Sequence, residues 1–155
     1  MKIIGALVII FSSVMIAMNQ AEKIDDSLRC VSALRALFEH TKNMIECYSL
    51  PVGEILRRFD SEYLLEIGYS REAPRNFLEL AEGASISDSE ARELLLSFSR
   101  DFGVSYRQDE LARCSLYLEK MRAREQKLSK ESARRKRVIY TVALCAALAI
   151  VILII

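Results

Sequence analysis

Val138 to Ile155 reads VIYTVALCAALAIVILII, and the meaning of this stretch decides how the rest of the chain is arranged. It carries no charge, no Gly and no Pro, and Tyr140 and Thr141 are its polar handles. Its 18 residues, at ~1.5 Å each, make ~27 Å of helix, close to the ~30 Å hydrocarbon core of a bilayer. A chain of 155 residues is enough for one domain and has no core able to bury a cylinder that is apolar all round. The stretch predicts a membrane helix over 138–155.

The residues ahead of it set the expected orientation. Between Leu118 and Arg137 stand Lys120, Arg122, Arg124, Lys127, Lys130, Arg134, Arg135, Lys136 and Arg137, against Glu119, Glu125 and Glu131. Lys and Arg near a spanning segment stay on the cytoplasmic side, and acidic residues count for little in that rule. Residues 19–137 are therefore expected in the cytoplasm. Arg134, Arg135, Lys136 and Arg137 read as an interface anchor whose stems snorkel and whose heads meet anionic lipid. The run has neither interleaved aromatics nor a recognisable module, so no nucleic-acid partner is expected.

The other end, Ile3 to Met18 (IIGALVIIFSSVMIAM), is also uncharged but shorter, at ~24 Å. A cleaved signal peptide with Lys2 as its basic region is one reading; it would export the body and place the basic run outside. Ala17-Met18-Asn19 is a poor cleavage pattern, and nine cations weigh against Lys2. An uncleaved membrane helix over 3–18 is preferred, its short length met by Asn19 and Gln20 at the interface or by local bilayer thinning.

Composition fits a helical body. Net charge is +1, Pro numbers 2, Gly 5, and Trp is absent, which leaves few turns. Cys30, Cys47 and Cys114 lie in the body and Cys145 in the last helix, with no CxxC; small packing residues in a reducing compartment are the simplest account, and a zinc site fits poorly. From Gln20 to Tyr48, Ile24, Leu28, Val31, Leu34, Phe38, Thr41, Ile45 and Tyr48 recur in steps of three and four, one face of a helix with no breaker before Pro51. His40 on that helix has no ligand partners at metal spacing. PVGEILRRFD (51–60) and SEYLLEI (61–67) read as short helices, the second closed by Gly68. Pro74 is expected at a first helical position ahead of NFLELAE (76–82), with Gly83 as the stop. Ser87 and Glu90 match one capping box and Ser105 and Gln108 a second. The last helix places Leu111, Cys114, Leu118, Met121 and Leu128 inward as a narrow seam, broken at Glu125 and Ser132. The outgoing and returning helices each extend ~45 Å beyond the bilayer. They are expected to lie antiparallel as a stalk, with the helices between Leu50 and Gly103 forming a distal head over Ile55, Leu56, Phe59, Leu64, Phe77, Leu94, Leu95 and Phe98.

Motifs for chemistry are missing: no GxxxxGK[ST], GxSxG, HExxH or GxGxxG occurs. Asp25-Asp26 and the Asp60/Glu62 pair read as solvated carboxylates, and Tyr63, Tyr69, Tyr106 and Tyr117 are too scattered for base stacking. No catalytic residue, cofactor or metal is expected. On the residues alone the chain is a cytoplasmic helical module anchored twice in a membrane, suited to docking. A generic membrane-anchored adaptor and an exported tail-anchored stalk remain its alternatives.

Order and spacing along the chain carry a resemblance. MKIIGALVIIFSS opens it; NMIECYSLPVGEILRRF (43–59) ends a long helix in an I-x-x-x-S-x-P turn; LLLSFSRDFGVSYRQDELARCSLYLEKMRARE (94–125) has an F-x-x-x-F-G turn, a polar residue two on, a Gln and a returning helix. With the basic segment and apolar tail, this resembles the stage III sporulation protein AB family, whose body is similar to the first helical domain of type II secretion F proteins. In place of the glycines typical of that family's last helix stand Ala143, Ala146, Ala147 and Ala149, and 60–89 matches loosely. The resemblance implies an all-α antiparallel bundle with first and last helices continuing into two transmembrane helices. It also implies a non-enzymatic part of a channel between mother cell and forespore, sited in the mother-cell membrane around the forespore, with the body facing the mother-cell cytoplasm. The implied partners are a secretion-type ATPase, other channel membrane proteins and the lipid bilayer, with a homo-oligomer left open. Docking is expected at the turns 49–54 and 103–108, through Glu54, Arg57, Arg107 and Asp109.

Overall fold

Apolar steps of three and four become helices along the whole chain, and Pro and Gly mark where they stop. The structure, a computed structural model, describes residues 2–48, 50–103 and 106–154. In chain order the helices are α1 (Lys2–Tyr48), α2 (Val52–Arg57), α3 (Ser61–Glu66), α4 (Phe77–Gly83), α5 (Ser89–Asp101) and α6 (Arg107–Ile154), with no strand among the described residues. The all-α bundle expected from the sequence is the fold. The chain divides into two compact units, residues 26–127 and residues 1–25 with 128–155.

Within residues 26–127, three helical stretches share one core. Arg107 bonds the carbonyls of Ile45 and Glu46, the Phe38 ring lies 6.3 Å from Tyr117, and Arg35 meets Glu125 at 2.8 Å. Contacts thus descend α1 as they climb α6, so the two run antiparallel. α5 takes the third place: Gly103 beside Glu110, Phe98 on Tyr117, and Asp88 on Arg124 mark its course along α6. This corrects the expectation of a distal head on a two-helix stalk. α5 lies beside α1 and α6, because Ala91, Leu95 and Phe98 form an apolar stripe that only a pair of neighbouring helices can cover. Phe98 sits at the centre, its ring 4.7 Å from Phe38, 5.0 Å from Phe77, 4.8 Å from Phe102 and 5.3 Å from Tyr117.

The expected faces largely hold. Val31, Leu34, Phe38, Thr41 and Ile45 are buried on α1, with Cys30, Ala33 and Leu37 beside them. Cys114, Leu118 and Met121 are buried on α6, but Leu111 and Leu128 only half so. Tyr48 is 63% exposed, a correction: it is the last residue of α1, where the helix end leaves its ring open to solvent. Thr41 keeps its hydroxyl satisfied by donating to the Leu37 carbonyl at 2.7 Å. Glu125 does not face open solvent; it reaches Arg35 across the bundle.

Short helices are set by their caps. Asp60 caps α3 through the Glu62 N–H and Asn76 caps α4 through the Glu79 N–H. Pro74 is therefore not the first helical residue of α4 but a buried residue of the loop before it. For α5 the cap is Asp88, accepting from Ala91, rather than Ser87, and Glu90 turns to Arg124 instead of closing a capping box. Ser105 of the second expected box lies outside the described residues. Gly68 (φ 83°) permits the chain to reverse after α3, where a Cβ would meet the Ser85 carbonyl at 2.9 Å.

In the other unit, Asp25 receives Lys136 Nζ on both oxygens, at 2.7 and 2.8 Å, and Ser132 is buried. Among the described residues no helix is long and apolar enough to cross a membrane. The segments read as membrane helices, 3–18 and 138–155, fall within α1 and α6, and many of their side chains lie outside the described residues, including all of 3–11 and 150–155.

Candidate functional site

Two places gather the residues that the sequence singled out: the end of the 26–127 bundle, where α1 stops and α6 starts, and the basic run of α6. At the bundle end, the final carbonyls of α1 have no partner within their own helix and carry the negative end of its dipole. Arg107 answers both needs. Its Nε donates to the Ile45 carbonyl at 3.1 Å and its Nη2 to the Glu46 carbonyl at 2.5 Å. The residue expected to face a partner is thus engaged in joining α6 to α1. Asp109 is exposed in the first turn of α6, where a carboxylate suits the helix dipole. Glu54 and Arg57 are exposed on α2, Glu54 within 3.8 Å of Arg58. No hydrogen bond or ion pair joins Glu54 or Arg57 to Arg107 or Asp109.

α2 is itself held against α1. His40 Nε2 donates to the Ile55 carbonyl at 3.2 Å, and its ring lies 5.4 Å from Phe59. His40 thus packs on Phe59 and hydrogen-bonds α2 in this setting. Around this end the structure leaves Tyr48 63% and Tyr106 86% exposed, two aromatics flanking the Arg107 contact in sequence. Periodicity put Tyr48 inside, so this pair is not legible from spacing alone.

Electrostatics stiffens the middle of the bundle. Arg124, 13% exposed in its side chain, holds Asp88 through Nε at 3.0 Å and Nη2 at 2.5 Å, and Glu90 through Nη1 at 2.7 Å. Burial alone would raise the Asp88 carboxyl, but the Arg124 bonds, the Ala91 N–H and the Arg124 and Lys127 charges outweigh it and hold it below its ordinary value. Arg35 spans Glu39 and Glu125, and Arg122 approaches Glu39 at 3.5 Å. At the α5–α6 turn Glu110 accepts the Gly103 N–H, and Arg113 bonds both Glu110 and the Asp101 carbonyl. These ties lock helices to one another. Burial pushes the thiol of Cys30 up to about 11 and that of Cys114 to about 12, far from the thiolate that nucleophilic or metal chemistry needs. Among the described residues no group of three or more His, Cys, Asp or Glu is disposed to hold a metal.

The arrangement is that of a braced helical body with an exposed aromatic and charged end. The profile of the family described as Stage III sporulation protein AB matches residues 2–88 and 71–155, together the whole described length. The chain belongs to the stage III sporulation protein AB family. No curated protein and no solved structure matches it. Membership carries a role in sporulation. Of the I-x-x-x-S-x-P pattern, Ile45 lies in the last turn of α1 and Pro51 just ahead of α2, and Ser49 lies outside the described residues.

Of the four residues read from the sequence as an interface anchor, Lys136 is paired with Asp25, while Arg134, Arg135 and Arg137 are exposed. Arg134 and Arg135 line a cleft with Lys23, Ile24, Glu131, Val138 and Ile139. Two features escaped the sequence reading. The Asp88–Arg124 pair is separated by 36 residues, and nothing local links them. The Tyr69 ring, buried against Gly83, is the other; an added Cβ there would stand 2.7 Å from its Cε2, so the glycine serves close approach, and the expected glycine stop is corrected, since Gly83 is still helical and Ala84 caps α4.

Proposed function

We propose that this member of the stage III sporulation protein AB family is a non-enzymatic membrane component of a secretion-like channel between mother cell and forespore, and that it serves as a docking platform for a secretion-type ATPase. In this reading 3–18 and 138–155 are the transmembrane helices, in the mother-cell membrane around the forespore. The body, 19–137, faces the mother-cell cytoplasm among the other membrane proteins of the channel. The nine cations between Lys120 and Arg137 favour that orientation.

The observation that carries the docking role is the end of the bundle. Arg107 ties the start of α6 to the end of α1, so a load applied there passes into two long helices at once. Tyr48 and Tyr106, with Glu54, Arg57 and Asp109, supply exposed aromatic and charged groups of the kind that anchor and orient interfaces. The mechanism is mechanical: the ATPase binds this end, and the braced helices hold the platform or transmit displacement.

Charge reversal tests the contact. Glu54→Lys, Arg57→Glu and Asp109→Lys combined, in full-length protein in detergent, should weaken ATPase capture by about tenfold. Arg107 is kept, since its loss would loosen the fold itself. Capture equal to the unaltered protein would remove this surface from the account.

A further inference from the structure

In the unit formed by residues 1–25 and 128–155, a cleft of about 760 Å³ is lined by Lys23, Ile24, Glu131, Arg134, Arg135, Val138 and Ile139. That volume lies within the range of small-molecule sites. Its walls carry three cations and one carboxylate. Lys136, the neighbouring cation, is turned to Asp25 at 2.7 Å, and the exposed guanidinium groups on the cleft wall are those of Arg134 and Arg135. The lining also has a direction. Along α6 it passes from Glu131, Arg134 and Arg135 to Val138 and Ile139, and the uncharged run to Ile155 follows. Charge at one end and hydrocarbon at the other is the pattern of a phospholipid: a phosphate to pair with guanidinium groups, then glycerol and the first methylenes of its chains. An acidic peptide would satisfy the arginines but leave Ile24, Val138 and Ile139 without apolar cover.

We infer that this cleft is a binding site for one anionic phospholipid, its phosphate held by Arg134 and Arg135 and its glycerol end against Ile24, Val138 and Ile139. The inference rests on the membrane reading above and goes further than a diffuse positive anchor. A diffuse anchor depends on the number of cations near the surface, whereas a cleft depends on which cations are present.

The test uses the full chain in bilayer discs of phosphatidylcholine containing a minor share of phosphatidylglycerol, extracted in mild detergent and weighed by native mass spectrometry. One retained phosphatidylglycerol per chain is expected, enriched over its share of the bilayer. Arg134→Gln with Arg135→Gln should lower that enrichment by about tenfold. Lys130→Gln with Arg137→Gln removes the same charge outside the cleft and should change it by less than about threefold. Equal losses from the two pairs, no enrichment in the unaltered protein, or displacement of the lipid by a second copy of the chain would each overturn the site while leaving membrane insertion intact. Failure to enter the discs at all would overturn the membrane reading together with the site.

Discussion

Replacing Asp88 with alanine removes two things at once. The Ala91 N–H loses its cap, and the Arg124 guanidinium loses two of its carboxylate contacts while keeping Glu90. Loss of an N-cap costs about 1 kcal/mol. Removing one partner of a buried ion pair costs about 3 kcal/mol or more, and the retained Glu90 contact reduces that to about 2. Asp88→Ala should therefore cost about 3 kcal/mol, and Asp88→Asn, which keeps the cap, about 2 kcal/mol. For a chain of this size each kcal/mol moves the melting temperature by about 2–4 °C, so shifts of about 6–12 °C and 4–8 °C are expected at pH 7. The assay is a thermal melt of detergent-solubilised full-length protein followed by circular dichroism. Acid should erase the difference. The Asp88 carboxyl is held below its ordinary value, so its stabilisation is complete above about pH 4 and disappears as pH falls through the lowered native value. Below that point the unaltered protein and Asp88→Asn should converge. An alanine variant melting within about 2 °C of the unaltered protein, or an Asn variant as damaging as Ala, would refute the dual role.

Other substitutions test the packing. Phe98→Ala, at the centre of four aromatic neighbours, should destabilise by about 3–5 kcal/mol in the same melt. Gly68→Ala should cost more than Gly103→Ala: both have positive φ, but only at Gly68 does the new Cβ strike backbone, whereas at Gly103 the space is open. Gly83→Ala should cost about 1–3 kcal/mol and change the near-ultraviolet signal of Tyr69, because the ring has no room to retreat. A soluble maleimide should label Cys47 in the native protein and leave Cys30 and Cys114 unmodified until denaturant is added, as their burial and raised thiol values require.

Helical period told which residues of α1, α5 and α6 turn inward, since burying a stripe at 3.6 residues per turn is local geometry. Val31, Leu34, Phe38, Leu95, Phe98 and Met121 were all readable in this way. Period says nothing about which helix meets which, and so the place of α5 beside α1 and α6 was not legible. Caps were ambiguous for a related reason: Ser87, Asp88 and Ser89 all have cap chemistry, and the choice fell to Asp88 because a distant arginine, Arg124, holds the same carboxylate. At the candidate docking end, exposure of Glu54, Arg57 and Asp109 followed from their polarity. Arg107 is exposed too, but its role was not legible, because it depends on the carbonyls of Ile45 and Glu46, which lie 62 and 61 residues away.

Which side of the membrane the body occupies is the claim on which platform, partner and lipid site all depend. Cys47 is exposed and lies in the body, while Cys30 and Cys114 are buried, so a membrane-impermeant maleimide reads Cys47 directly when Cys145 is replaced by Ala. In intact cells the account predicts no labelling of Cys47, and full labelling once the membrane is opened. Labelling in intact cells would place the body outside and contradict it.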